Sequence, residues 1–471
     1  MAAHWLSPDR NPRKFAALPV IACAATALAA PAQTAGDATN NPSPHAASGP
    51  TAPAIEKLTN MVEQRWNWHV QNTDIVDWHP GFPAKYSGPH SLSNGAEVQE
   101  TVSLDLMAGA RLWHGAEFHA DGLIWQGFGF SKAFGVEGFP NGEAFRVGTE
   151  SPNIVFARLF VRQTIGLGGD QEAVADQDLS LAGMQDNSRV TITLGKFSAK
   201  DVFDNNAYAN NARTQFMNLG LTANEAWDYP ADSLGFTTGI ALELNQPHWT
   251  VRYGFFQVPR FSNGLAQDQS YLRAWALVTE FERRYSIGGH PGAVRLLGFL
   301  NRAHMGSYQD TLNNSSLNED ITLTRDYRYK FGFGLNWEQE LAKAIGAFMR
   351  LGWSDGRNEA WMFTDVDHSA SFGLSVNGDS WHRPHDTFGV AGVINGISQV
   401  HRDFFAAGGT GIFAGDGRLN YDLEQIAETY YDFEICKAMH AALDYQFVAN
   451  PAFNRDRGPV SVVSARIHVS F

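Results

Sequence analysis

The chain closes on Pro459-Val-Ser-Val-Val-Ser-Ala-Arg-Ile-His-Val-Ser-Phe471, in which apolar residues fall on every second position. Val463, Ala465, Ile467, Val469 and Phe471 share one face of an extended strand, and Ser464, Arg466, His468 and Ser470 share the other. No polar tail follows to shield the apolar face. A soluble sandwich can produce the same alternation, but a closing strand that leaves its apolar face open fits a lipid-facing barrel better.

The same period recurs upstream. Val102, Leu104 and Leu106 alternate with Thr101, Ser103 and Asp105, and Ile240, Leu242 and Leu244 with Gly239, Ala241 and Glu243. After Asn245-Gln-Pro-His248, Trp249, Val251, Tyr253 and Phe255 alternate with Thr250, Arg252 and Gly254, which makes a hairpin with one lipid-suited face. Tyr329 to Glu338, Ile345 to Trp353 and Tyr431 to Phe447 repeat the pattern. Strands are predicted over 66–73, 98–107, 112–121, 154–164, 189–196, 236–245, 248–257, 271–281, 294–301, 325–337, 344–353, 363–376, 387–395, 425–435, 440–448 and 460–471. They number 16, the even count of a single-chain bacterial barrel. The fold class is therefore all-β: a 16-stranded antiparallel transmembrane β-barrel with long extracellular or inward-folded loops. A barrel of that size leaves an aqueous channel, whereas one of about 8 strands leaves room only for packed side chains.

The start of the chain agrees with its end. Arg10, Arg13 and Lys14 precede an apolar stretch from Phe15 to Ala30, so residues 1–32 read as a cleaved export signal. Residues 33–64 form a Pro/Ala-rich lead-in with a short helix expected over 55–64, and residues 65–471 form the barrel domain. If the signal is removed, Cys23 goes with it and Cys436 is left as a lone thiol used for packing. The formal charge of −14 argues against a nucleic-acid partner. Gly409-Thr-Gly411 with Gly415 lacks dinucleotide-loop spacing, and His114 falls on the strand face opposite Glu117 and His119. No metal, cofactor or catalytic residue is assigned.

Several motifs in one order are similar to the OprB-type carbohydrate-selective porins of bacterial outer membranes. They include His79-Pro-Gly-Phe82, Phe156-Ala-Arg-Leu-Phe-Val-Arg-Gln-Thr164, Gly195-Lys-Phe197 with Asp204-Asn-Asn206, and Ala226-Trp-Asp-Tyr-Pro-Ala-Asp232. Asn301-Arg-Ala-His-Met-Gly-Ser-Tyr308, Arg383-Pro-His-Asp386 and Gly415-Asp-Gly-Arg-Leu-Asn-Tyr421 follow. The resemblance implies a channel that passes mono- and small oligosaccharides by facilitated diffusion. It also implies that outer-membrane insertion machinery reads the terminal Phe471.

A sugar channel needs flat apolar surfaces to stack on C–H faces of the ring and fixed donors to exchange hydrogen bonds with hydroxyls. Arg holds five donors in a rigid fork and stays charged. Arg158 and Arg162 are four apart on one strand, and Glu117, His119 and Asp121 share a face of the preceding one. With Glu243, Arg252 and Arg350 they are the lumen candidates, set against the plainer reading that they are wetted barrel wall. The segment from Lys196 to Asp232 is long for a connection, and if folded inward as the resemblance implies it brings Arg213, Trp227 and Asp228 to a constriction. A channel for anionic or aromatic solutes, with Arg in excess over Glu and Asp at the constriction, is the first alternative. A secreted β-rich carbohydrate-binding protein or glycosidase is the second. The expected partners are sugars, outer-membrane lipid and the insertion machinery. Monomer and homotrimer both fit the sequence.

Overall fold

A computed structural model describes residues 63–145 and 147–471. The export signal, nearly all of the lead-in and most of the 55–64 helix therefore lie outside the described residues, as does Cys23. In chain order the strands are β1 Trp66–His79, β2 Glu97–Trp113, β3 Ala116–Gly127, β4 Thr149–Gly166, β5 Gln171–Val174 and β6 Gly183–Asp186. They continue with β7 Arg189–Phe197, β8 Thr237–Gln246, β9 Trp249–Phe256, β10 Trp275–Ile287, β11 His290–Met305 and β12 Asp326–Ala342. The last are β13 Ile345–Ser354, β14 His368–Gly378, β15 Arg383–Gly396, β16 Glu424–Cys436, β17 Met439–Ala449 and β18 Val460–Ser470.

Apart from β5 and β6, which pair only with each other, these strands form one closed antiparallel barrel of 16. β18 closes it by pairing with β1 in the register Gln71↔Ser470 to Trp78↔Val463. The closing strand behaves as its alternation predicts: Val463 and Ile467 face outward, whereas Ser464, Arg466 and His468 are buried inside. Outward residues elsewhere include Ile154, Leu242, Val251, Phe333 and Leu443, and Trp66, Trp68, Trp113 and Trp353 stand near strand ends, where an interfacial girdle would place them. No helix among the described residues is long and apolar enough to cross a membrane, so crossing falls to the strands.

Each predicted strand has a counterpart, with shifted ends. The third prediction runs across a turn: Leu112 and Trp113 complete β2, His114 and Gly115 turn the chain, and β3 begins at Ala116. Strand β14 starts at His368 and not at 363, because 363–367 is a buried loop segment, and β10 starts at Trp275 and not at 271. Cys436 ends β16 and is exposed, so it does not serve packing as expected.

The barrel has two unlike ends. At one, connections are short: His114-Gly115, Pro247-His248, Gly288-Gly289 and Lys343-Ala344, for example. Gly288 and Gly289 have φ of 62° and 88°, the positive pair that a two-residue hairpin turn of matching twist requires. At the other end the connections are long, 198–236 above all. Short turns face the periplasm in bacterial outer-membrane barrels. Residues 167–188 are the exception at the turn end.

The channel as candidate functional site

Residues 198–236 do not cap the barrel; they fold into it. Asp204 accepts from Arg350 Nε on β13 at 3.1 Å and from Asn336 Nδ2 on β12 at 2.7 Å. The Asp204 N–H donates to Glu280 on β10 at 2.8 Å, and that of Ala207 donates to Glu338 at 2.6 Å. Met217 and Asn218 N–H groups share the Glu428 carboxylate on β16 at 2.6 and 2.9 Å. Arg466 on β18 donates to the carbonyls of Ala212 and Gln215 at 2.8 and 2.7 Å. Room for the segment comes from inward glycines on β12 and β13: a Cβ at Gly346 would overlap the Tyr208 ring, and one at Gly334 or Gly352 would overlap Asn224.

Under that segment, the β8–β13 wall carries a ladder of alternating charge. Arg252 donates to Glu243, Glu280 and Glu282 at 3.0, 2.7 and 3.0 Å, and Arg295 links Glu282 to Glu338 at 2.9 and 3.1 Å. The side chains of Arg252, Arg295 and Arg350 are only 4, 1 and 2% exposed. They are sealed from water, and every carboxylate facing them is paired, as burial of charge demands.

Water reaches the opposite wall. A cavity of about 370 Å³ runs between β1–β4 and the inward segment, lined by Arg158, Lys200, Asp201, Arg213, Tyr229 and Phe236 among others. Arg158 grips Asp201 through Nε and Nη2 at 2.8 Å each and reaches Asp121 through Nη1 at 2.7 Å. Its guanidinium also lies 5.1 Å from the centre of the Phe236 ring. Arg213 crosses the lumen to Asp105 on β2 at 2.5 Å and to Glu143 at 2.8 Å. Burial works against the Arg213 cation, but Glu143 and Asp105 more than offset it and hold it charged. Lys200 is pushed down to about 8, by burial first and by repulsion from Arg350 next, against the pull of Asp204 and Asp201. Burial likewise raises the Asp232 carboxyl above its ordinary range, opposed by Lys196 at 3.8 Å.

The sequence-predicted residues therefore separate. Arg158 and Arg213 line the cavity, and Asp121 supports Arg158 from behind. Glu117 and His119 point inward below them, bonded to each other at 3.1 Å, with Glu117 also 3.2 Å from Arg111. Arg162 donates to the Leu179 carbonyl at 2.7 Å, in the 167–188 connection. Glu243, Arg252 and Arg350 belong to the sealed ladder. Trp227 and Asp228 do not reach the cavity surface. Trp227 is 1% exposed and packs on Phe203 and Tyr229, while the Asp228 carboxylate accepts the backbone N–H groups of Trp361, Met362 and Phe363 at 3.1, 2.7 and 3.1 Å. Sequence reasoning missed Asp105, Glu143, Lys200, Asp201 and Asp178. Asp105 carried a signal, its place on the polar face of β2; the others sit in loops, where no period marks a side chain's direction.

The profile of the carbohydrate-selective porin, OprB family, matches residues 89–471. The chain belongs to that family. It is thus an outer-membrane sugar porin, and its closed barrel agrees. Among solved structures it is similar to the high-pH structure of Pseudomonas putida OprB, at 15% identity and a TM-score of 0.67, covering 89% of this chain and 96% of that one. It is also similar to the outer-membrane channel DcaP of Acinetobacter baumannii, at 9% identity and a TM-score of 0.48, covering 86% of this chain and 97% of that one. No curated protein matches the chain. Residues 1–88, which include β1, precede the matched region, yet β1 pairs along its whole length with β2.

Proposed function

We propose that the cavity along β1–β4 is the sugar path, and that Arg158 and Arg213 are its fixed donors, with the edges of the largely buried Tyr229 and Phe236 as its apolar lining. The observation that carries this reading is the composition of the lining. Among its described residues Arg158, Lys200 and Arg213 stand against Glu143, Asp178, Asp201 and Asp232. With no excess of cations, the path suits neutral polyols and gives no advantage to anions, so the anion-porin alternative is the weaker one. Each arginine is held by two carboxylates and its side chain keeps some exposure, 18% for Arg158 and 13% for Arg213. Preset donors lose little freedom when a hydroxyl replaces water. The volume is that of a small-ligand site, which supports mono- and small oligosaccharides as solutes. Passage is diffusive, and the chain acts as a channel and not as an enzyme.

Two replacements at one position test the path. Arg158→Lys keeps the charge but loses the fork, so sugar-induced block of single-channel current should weaken while the reversal potential in a salt gradient holds. Arg158→Gln should weaken the block and also move the reversal potential toward cation selectivity. Unchanged block in both variants would show that Arg158 is ordinary wall.

We further read Phe471 as the signal for the insertion machinery. It is 64% exposed on the outward side, and its N–H donates to the Val70 carbonyl at 2.9 Å where β18 meets β1. Phe471→Asp should lower the fraction of heat-modifiable barrel recovered from outer membranes, and a normal yield would end that reading.

A further inference from the structure

The connection 167–188 breaks the rule of its end of the barrel. Where neighbouring strands turn in a few residues, this one builds a hairpin of its own, β5 with β6, in the register Gln171↔Asp186 to Val174↔Gly183. Its tip then folds back inside the barrel along the β1–β4 wall and is held by side chains that point inward from β1, β2 and β4. The Asp176 carboxylate accepts from Asn67 Nδ2 at 2.7 Å and from Gln64 Nε2 at 2.9 Å, and meets His69 Nε2 at 3.0 Å. Asn67 also donates to the carbonyls of Gln177 and Ser180 at 3.1 Å each. Arg162 donates to the Leu179 carbonyl at 2.7 Å, and Leu181 is 1% exposed. Ordering a segment this long costs conformational entropy that a two-residue turn would not. Long ordered connections in compact folds tend to have a task.

At the apex of the tip, between the bridged residues Gln177 and Ser180, stands Asp178. Its side chain is exposed, makes no hydrogen bond to any described residue, and lines the same cavity as Arg158, Lys200 and Arg213. A solute that has passed the inward segment 198–236 meets this carboxylate near the turn end of the channel. The other acidic groups of the lining are engaged: Asp201 with Arg158, Glu143 with Arg213, and Asp232 with the N–H groups of Leu234 and Phe236. Asp178 alone among them has no direct ion-pair or hydrogen-bond partner among the described residues, so its carboxylate stays available at the turn end of the channel, where a fixed charge beside low-dielectric walls acts on passing solutes more strongly than in bulk water.

We propose that residues 167–188 are an exit filter, inserted into the turn end of the channel, in which Asp178 excludes anionic solutes and the Asp176 and Arg162 contacts hold the filter in the lumen. This rests on the sugar path described above. Asp178 is a specificity-determining residue that selects against charge without holding the sugar.

The test uses the full-length porin in planar bilayers and in liposomes. Asp178→Asn should move the reversal potential in a potassium chloride gradient toward anions. It should also raise the permeation of a hexuronate relative to glucose by roughly two- to five-fold, with glucose block retained. Asp178→Glu should restore both. Replacing 175–182 by Asn-Gly, to close β5 and β6 with a tight turn, should raise single-channel conductance as well as hexuronate passage. If glucose blocks the wild-type current but Asp178→Asn leaves the reversal potential and the hexuronate ratio unchanged, the filter is overturned while the sugar path stands. If glucose does not block the wild type, the path itself fails. A shortened variant that does not fold leaves the two Asp178 replacements to decide.

Discussion

Two walls of the same barrel carry inward arginines flanked by carboxylates, and only one of them lines an open cavity. Along β8–β13, Arg252, Arg295 and Arg350 lie in a ladder closed over by residues 198–236, with at most 4% of each side chain exposed. Along β1–β4, Arg158 keeps 18% and Arg213, which arrives from the inward segment, keeps 13%. Local chemistry is alike in both places: a guanidinium shared between carboxylates, on or against a strand whose outward neighbours meet lipid. The difference lies in what is laid over the wall. Side-chain direction makes an inward charge, and coverage by a loop decides whether that charge is architecture or contact surface.

That contrast is broken most severely at the sealed wall. Glu282 accepts from Arg252, Arg284 and Arg295 at 3.0, 2.5 and 2.9 Å, so Glu282→Ala takes the shared carboxylate from three clustered cations and the ion-pair partner from Arg284, and should cost about 3–5 kcal/mol. Urea unfolding from lipid vesicles measures it. A loss of less than about 1 kcal/mol would mean that the ladder behaves as a wetted surface.

Next in size is the outward side of the same wall. Leu242 faces out from β8 and its neighbour Glu243 faces in, bonded to Arg252 at 3.0 Å. Leu242→Arg should destabilise the barrel by about 2–4 kcal/mol if the site is near the bilayer midplane, whereas Glu243→Gln should cost little because Arg252 keeps Glu280 and Glu282. Equal losses on refolding into vesicles would contradict the alternation on which both walls depend.

The smallest effect belongs to the open wall and is read by pH. Lys200 lines the cavity, and its ammonium loses its proton near pH 8 in the folded chain, against an ordinary value of 10.5. Between those values the unfolded chain binds more protons than the folded one, so this group's contribution to stability rises as pH rises through that window. In the folded channel the positive charge leaves around pH 8, so the reversal potential should drift toward cation selectivity between about pH 7 and 9. In Lys200→Met that drift should vanish. A drift that survives the replacement would assign the titration elsewhere in the lumen.

Much of the architecture was legible in the sequence, because strands in a bilayer obey a strict rule. A side chain either meets hydrocarbon or it does not, and period two records the answer residue by residue, as in Ile240 to Leu244 or Val463 to Phe471. Strand count, closure and sidedness followed from that rule, and so did the inward direction of Arg158, Arg162, Glu243, Arg252 and Arg350. Strand ends were less legible: the shift of β3 to Ala116 turned on a tight His114-Gly115 turn inside an unbroken run of strand-forming residues.

Loops obey no such period, and there the tertiary structure decided. Trp227 and Asp228 look in sequence like channel residues, yet one is packed under Phe203 and the other spends its carboxylate on the backbone of 361–363. Arg213 comes from the same segment and reaches the open lumen. Nothing local separates them, because each direction is set by partners far away in the chain: Asp105 for Arg213, Trp361 for Asp228. The inward glycines 334, 346 and 352 were visible in the sequence as gaps on the polar face, but only docking of Tyr208 and Asn224 gives them meaning. What the sequence determined was the wall, since water and lipid act on each residue separately. What the tertiary structure decided was the path through it, since a channel is the space left by long-range contacts that no single segment encodes.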